Sequence, residues 1–180
     1  MKKSLIFLCL FTISTFAFSQ EKPFRVGLKF GIPNIAGLNL EYVTPALDEK
    51  LAIAGDFSYI SLTAGDAKVS FSYLEIGGNY YFTKPGKGFY GNLSYGNIGF
   101  KGTYTDPTYG EGEGKATVSL INLKVGGKFG NAFYFRPEIG YAIGSGGKVT
   151  VEYDGQTEEE EVPGFLGGGF VVNLGFGVAF

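Results

Sequence analysis

The sequence predicts an all-β protein, and the composition of its 180 residues gives two of the reasons. Glycine contributes 30 residues, well above the roughly 7% of ordinary chains. Phenylalanine and tyrosine contribute 18 and 12 more. This composition disfavours helices, because glycine in a helix interior costs about 1 kcal/mol relative to alanine. A pleated sheet accepts both residue types, since aromatic side chains pack on its faces and glycine relieves crowding.

A third observation, the absence of histidine, concerns function and not the fold. It excludes Ser-His-Asp hydrolases, histidine-based acid–base catalysis and most zinc or copper sites. Segment 110–117 (GEGEGKAT) lacks the spacing of a phosphate-binding loop, and segment 158–161 (EEEE) lacks the spacing of a calcium loop. We interpret both as solvated surface segments. We therefore expect a protein that is not an enzyme, with no catalytic residue, no metal site and no cofactor.

Residues 1–20 have the features of a cleaved signal peptide. Lys2 and Lys3 precede an apolar stretch, and the small residues Ala17 and Ser19 stand at its end, so cleavage is expected near Ser19 or Gln20. The only cysteine lies inside this stretch, which leaves none in the exported chain. Cleavage removes two lysines and none of the 17 acidic residues. The remaining domain, residues 21–180, is therefore acidic, and nucleic acid is not an expected partner.

Hydrophobic alternation predicts eight strands in this domain, with no amphipathic helix between them. Apolar side chains alternate with polar or small residues along each segment. The predicted strands cover residues 24–32, 38–42, 51–59, 74–82, 93–100, 121–129, 133–143 and 170–180. The alternation of the fifth strand slips near Gly96 and Asn97, which indicates a β-bulge.

The connections between these strands fall into two alternating sets. One set is short to moderate and comprises residues 44–50, 83–88 and 130–132. The other set holds the longest polar segments and comprises residues 33–36, 61–68, 106–115 and 145–164. Lys148–Tyr153 is rich in strand-forming residues, so the last loop is expected to contain a hairpin. Short turns at one end and longer loops at the other are the layout of an outer-membrane barrel.

The less apolar face of each strand separates a membrane barrel from a soluble one. It carries glycine, alanine, asparagine and serine with few charges, which suits a narrow, crowded interior. The last strand, residues 170–180, has no charge on either face. Its eleven residues match the roughly 9–11 that a tilted strand needs to cross a bilayer. We therefore predict an eight-stranded antiparallel up-and-down transmembrane β-barrel in residues 21–180, after the signal peptide.

Aromatic residues cluster near the predicted strand ends, where a membrane barrel places its girdles at the lipid headgroups. The residues that we expect in these girdles are Phe24, Tyr42, Tyr59, Tyr80, Tyr81, Phe82, Phe89, Tyr90, Phe133, Tyr134 and Phe135.

The few charged residues on the small-residue face are expected to form a network in the barrel lumen. These residues are Arg25, Lys29, Glu41, Asp56, Glu75, Lys101, Lys124, Lys128, Arg136 and Glu138. A tight turn at 130–132 would set Lys124 opposite Glu138, with Arg136 two residues away on the same face. The network is either a salt-bridged plug or the charged constriction of a pore. We favour the plug, because eight strands leave an interior just wide enough for side chains to fill.

The C-terminus carries the residues of a known family. Leu174, Phe176, Val178 and Phe180 alternate up to a terminal aromatic residue. With the signal peptide and the eight alternating segments, the chain resembles the small outer-membrane β-barrel family, the OmpA/OmpX-like outer membrane protein β-barrel domain. The resemblance implies that these four residues form the C-terminal signal that the barrel-assembly machinery recognises. It implies no shared activity, because that family uses one scaffold for several functions.

Three functions remain open from the sequence. The first is a non-enzymatic, monomeric protein of the cell outer membrane with a structural or surface-interaction role. Its expected partners are outer-membrane lipid and lipopolysaccharide, and the assembly machinery during biogenesis. The second is a narrow porin-like channel for ions or small solutes, lined by the charged residues. The third is a secreted, lipocalin-like binder with an apolar interior, although the chain has no tryptophan for the Gly-x-Trp motif of lipocalins.

Overall fold

The computed structural model describes residues 22–106, 110–153, 156–163 and 168–180. The predicted signal peptide, residues 1–20, lies outside the described residues. No helix in the described part of the chain is long and apolar enough to cross a membrane.

The described residues form nine strands, which confirms the all-β class that the composition and the hydrophobic alternation predict. Their bounds are β1 Phe24–Ile32, β2 Ile35–Val43, β3 Leu51–Ala64, β4 Ala67–Tyr81, β5 Gly88–Asp106, β6 Gly110–Gly130, β7 Phe133–Tyr153, β8 Gln156–Val162 and β9 Gly169–Ala179. Strands β3 to β7 are longer than predicted, with 21 residues in β6 and in β7.

Eight of these strands close into an antiparallel barrel. Each strand from β1 to β7 pairs with the next, and β9 closes the wall by pairing with both β7 and β1. The short β8 pairs only with β7, and it forms a hairpin with the distal half of that strand. The eight-stranded barrel is thus confirmed, and the hairpin predicted from Lys148–Tyr153 is present.

We call the end of the barrel that carries connections 44–50, 82–87 and 131–132 the turn end, the part of the wall next to it the proximal part, and the part beyond it the distal part. The proximal part has an apolar outer face and a polar inner face. Leu28, Leu40, Ile76 and Leu123 point outward and are 51–62% exposed. Their neighbours along each strand point inward and are buried, as the alternation of side chains across a strand requires. Val171, Asn173 and Ala179 of β9 are among the inward residues, as predicted.

In the distal part of β3 to β7 this polarity is reversed. Strand alternation places Leu62, Val69, Phe100 and Tyr104 on the inner side of the wall, and their side chains are 48–71% exposed there. The outer side at the same levels carries serine, threonine, lysine and glutamate, including Ser61, Ser70, Lys101, Lys115 and Thr117. The pairing of β3 to β6 continues without a shift through both parts, so on these strands the apolar residues themselves change from one face to the other. On β7 the exchange coincides with the register shift at Gly144 and Gly146, beyond which Val149 and Val151 turn inward.

The predicted bulge at Gly96 and Asn97 is wrong. Strand β5 pairs without interruption through these residues with both β4 and β6. The slip in the alternation arises because Ile98 and Phe100 are apolar residues that face inward. The register shift lies instead between β6 and β7, where Ser119 pairs with Gly146 and Leu120 with Gly144.

The longer set of connections also differs from the prediction. Residues 33–34 and 65–66 are two-residue connections, and most of segment 61–68 belongs to β3 and β4. Strands β5 and β6 similarly take up 106 and 110–115 of the predicted loop at 106–115. The polar segments that were predicted to be loops are largely hairpins that extend beyond the apolar band. Composition did not separate the two, because solvated strands carry polar side chains just as loops do. We call this extension, formed by the distal parts of β3–β7 with β8, the distal ribbon.

Candidate functional site

The barrel interior is the candidate site, because it collects nearly all of the predicted charged residues. Arg25, Lys29, Glu41, Asp56, Glu75, Lys124, Lys128, Arg136 and Glu138 are each at most 5% exposed. Lys101 departs from the prediction. It lies on the outer side of β5, its side chain is 49% exposed, and its ammonium group is 2.6 Å from a carboxylate oxygen of Glu113.

Glu138 of β7 is the centre of the network. Its Oε2 lies 2.9 Å from Lys29 Nζ and 3.8 Å from Lys124 Nζ, and its Oε1 lies 3.1 Å from Arg136 Nε. Tyr90 also donates its hydroxyl proton to Oε1 over 2.6 Å. Lys124 is opposite Gly140 in the register and not opposite Glu138 as predicted, but its long side chain still reaches that carboxylate.

Glu41 of β2 forms a second centre closer to the turn end of the barrel. It pairs with Arg25 of the adjacent strand and with Arg136 Nη1 at 3.0 Å. Tyr81 and Asn79 donate hydrogen bonds to the same carboxylate over 2.8 Å and 2.5 Å. All four partners neutralise or solvate a carboxylate that is otherwise removed from water.

Asp56 and Glu75 complete the network on the β3–β4 side. Lys29 Nζ lies 2.5 Å from Asp56, and Asn39 donates to the same carboxylate over 2.6 Å. Glu75 pairs with Lys124 and also accepts hydrogen bonds from Tyr73 and Asn122. Every buried carboxylate of the described residues therefore has a cationic partner.

Apolar and aromatic layers lie on both sides of the charged layer. On the distal side, buried Phe71, Tyr73, Leu120, Ala142 and Val171 pack together across the lumen. On the turn side, Val43, Ala52, Tyr81 and Tyr90 form a second buried cluster.

Tyr81, Tyr90 and Tyr134 are at most 5% exposed, so their placement in the outer girdle was wrong. These tyrosines share strand parity with inward residues, Tyr81 with Glu75 and Tyr90 with Asn92. That parity is the signal that distinguishes them from outward Tyr80 and Phe89. The hydroxyls of Tyr81 and Tyr90, and that of Tyr73, are the network members that the charge pattern alone did not reveal.

Within the described ranges, no group of three or more aspartate, glutamate, cysteine or histidine side chains is close enough to hold a metal ion. The four predicted signal residues lie on the outside of the barrel. Leu174, Phe176 and Val178 are on the outer face of β9 and Phe180 follows its end, and the four are 40–61% exposed. Their role as an assembly signal stays a prediction.

A solved structure of a major outer membrane protein from Thermus thermophilus resembles this barrel. The TM-score is 0.53 at 14% sequence identity, and the match covers 87% of this chain and 98% of that chain. This chain has the fold of outer-membrane β-barrels. The crystal structure of Acinetobacter baumannii CarO is also similar, with a TM-score of 0.47 and 9% identity over 88% of this chain and 98% of that chain. No protein-family model and no curated protein matches the sequence, so membership of the OmpA/OmpX-like family stays a prediction.

Proposed function

We propose that the chain is an integral protein of the outer membrane, with a closed lumen, that acts through surface interactions of its distal ribbon and not as an enzyme. The reversal of wall polarity carries this proposal. An apolar outer face suits lipid, whereas a polar outer face suits water, and the change occurs at one level of β3 to β7. A lipocalin-like binder would need the opposite arrangement in the proximal part, with an apolar interior and a polar exterior.

The apolar band has the height that a bilayer requires. Strand β9 has 11 residues, and its outward side chains run from Phe170 to Val178, with Phe180 following the strand. At about 3.3 Å per residue and a tilt near 45°, such a strand crosses roughly 25 Å, which is the band height of outer-membrane barrels. Outer-membrane lipid is therefore the proposed environment of this band, and a monomer needs no further cover for it.

The filled lumen favours a closed barrel over a channel. Arg136, which is 1% exposed, extends across the interior and binds two carboxylates from different strands. The distal apolar cluster closes the interior a second time. We infer from these two packed layers that the lumen does not conduct, because ions or small solutes need a continuous polar path.

The distal ribbon supplies the surface for interaction. Its inner side exposes Leu62, Val69, Tyr104 and Val151, each about half exposed or more. Val69, Tyr104 and Val151 line a groove of about 350 Å³, together with Gly102 and Gly114. Exposed apolar side chains that converge on a groove are a feature of binding surfaces.

Membrane fractionation with a detergent gel tests the location. We expect the protein in the outer-membrane fraction, with a mobility that changes on boiling because the barrel resists detergent until heated. Recovery of the protein in the soluble fraction without detergent would contradict the proposal.

Planar-bilayer recording tests the closed lumen. We expect no stable unitary conductance from the purified protein. A clean conductance that changes in Lys124→Ala or Arg136→Ala would instead establish the channel, because both side chains lie in the charged layer.

A further inference from the structure

A basic cavity of about 740 Å³ opens at the turn end of the barrel. Inward side chains of β1 and β6 form its inner wall, and the turns that follow β2, β4 and β6 surround its mouth. Five basic side chains and one carboxylate line it: Lys22, Arg25, Lys84, Lys87, Lys128 and Glu49. This excess of cations contrasts with the acidic balance of the domain as a whole.

Lys128 is the unusual member of this set. It is 3% exposed, and its ammonium group lies 5.1 Å from the centre of the Tyr134 ring. Across the described residues, every other buried charged side chain has an ion-pair partner, whereas Lys128 has no carboxylate within 4 Å. A buried charge without an opposite charge is costly, because it loses its hydration and gains no partner in return. Lys128 is therefore a cation that an anionic ligand would compensate.

Arg25 adds a second buried cation to this cavity, and the turn at Gly86 packs against it. Arg25 uses Nη1 to bind Glu41 and Tyr81, while its buried Nε has no hydrogen-bond partner. Gly86 lies directly against the Arg25 guanidinium, with φ at 55°, so the 82–87 turn covers this part of the cavity without a side chain. Arg25 and Lys128 thus both line the cavity, and of these two buried cations Lys128 is the one without a carboxylate partner.

We propose that this cavity binds a small phosphate-bearing solute. Lysine ammonium groups and an arginine guanidinium provide charge-assisted donors for phosphate oxygens. Its volume lies within the range of small-molecule sites and exceeds the size of inorganic phosphate, which leaves room for the organic part of a phosphate monoester. The cavity is lined by inward side chains and by turn residues and by none of the outward apolar residues of the band, which favours a dissolved solute over a lipid headgroup as the source of the phosphate.

Calorimetric titration tests the site. The protein is expressed as the full chain and purified in an uncharged detergent. Glycerol 3-phosphate and inorganic phosphate are titrated against chloride at equal ionic strength. We expect saturable binding of the phosphate ligands that weakens at least about tenfold in Lys128→Met, which loses a charged donor. Lys148→Met is the matched control, because Lys148 lies on the distal ribbon with a side chain 63% exposed, and it is expected to bind like the wild type.

Thermal stability separates this ligand site from a purely structural lysine. In chloride alone, Lys128→Met is expected to melt at a higher temperature than the wild type, because it removes an uncompensated buried charge. Phosphate is expected to raise the melting temperature of the wild type and not that of the variant. Lys87→Gln, at the exposed mouth of the cavity, provides a second variant with weaker binding should Lys128→Met fail to fold.

Vesicles distinguish the two sources of phosphate. Protein reconstituted in zwitterionic and in anionic phospholipid should bind glycerol 3-phosphate equally if the ligand is a dissolved solute. Binding that anionic lipid abolishes would contradict a dissolved solute and would identify a lipid headgroup as the occupant. No saturable binding of phosphate in detergent or vesicles, or binding that Lys128→Met and Lys87→Gln both leave unchanged, would overturn the proposal.

Discussion

Arg136 on β7 and Glu41 on β2 meet inside the barrel, with 3.0 Å between Nη1 and Oε2, although β9 and β1 separate their strands in the wall. The same guanidinium binds Glu138 through Nε and donates from Nη1 to Asn39 over 3.1 Å. Arg136 therefore connects both centres of the lumen network. Its planar set of donors can serve several acceptors at once, which a lysine at this position could not do.

Replacing Arg136 with methionine should destabilise the barrel strongly. The change leaves Glu41 and Glu138 buried with fewer cations, and breaking such a pair costs about 3–5 kcal/mol. Urea unfolding of the protein reconstituted in lipid vesicles measures the loss.

Lys148→Met is the control for this experiment, because its ion pair with Glu159 is exposed to solvent at both ends and should contribute little. Equal stability of the two variants would show that the buried network does not hold the barrel together.

Gly27→Ala should destabilise the barrel through a steric clash in the lumen. A Cβ on Gly27 would lie 2.6 Å from the backbone oxygen of Phe176 and 2.8 Å from the Tyr134 hydroxyl. Overpacking of this kind costs about 1–3 kcal/mol. Gly102→Ala is the matched control, because a Cβ there has no atom within 4 Å. Urea midpoints of the two variants that do not differ would contradict this account of the glycine-rich interior.

An arginine at Leu40 should distinguish a lipid-facing wall from a solvated one. Leu40 is 57% exposed and pairs with Gly55 near the middle of the apolar band, where arginine costs about 2–4 kcal/mol in a bilayer. Leu62→Arg, at a position 71% exposed on the distal ribbon, should have little effect. If vesicle-reconstituted Leu40→Arg is as stable as Leu62→Arg, the apolar band does not face lipid.

Replacing Phe180 with alanine should reduce assembly in cells more than it reduces stability. Phe180 exchanges backbone hydrogen bonds of 2.9 Å and 3.1 Å with Phe24, and these bonds do not require its ring. The ring is 61% exposed and is therefore available to the assembly machinery. The measurement is the fraction of heat-modifiable protein in membranes, compared with the refolded yield in vitro. Phe170→Ala, at the other end of β9, is the control, and an equal loss of assembly in both variants would argue against a C-terminal signal.

The sequence predicted the wall better than its contents. Alternation identified all eight barrel strands, and it placed nine of the ten expected lumen charges on the inner face. It failed at Lys101 because this residue follows the reversal of polarity, where apolar side chains turn inward and charged ones outward. The same reversal produced the false bulge at Gly96, since inward Ile98 and Phe100 imitate a change of register.

The sequence by itself therefore determined the fold class and the direction of most side chains. Both follow from a period of two residues, which is a local property of each strand. Only the tertiary structure decided which charges pair, as with Arg136 and Glu41, and which buried cation of the described residues has no carboxylate nearby, as with Lys128. Those contacts join strands that are not neighbours, so they depend on the closure and stagger of the whole barrel, and no local pattern encodes these.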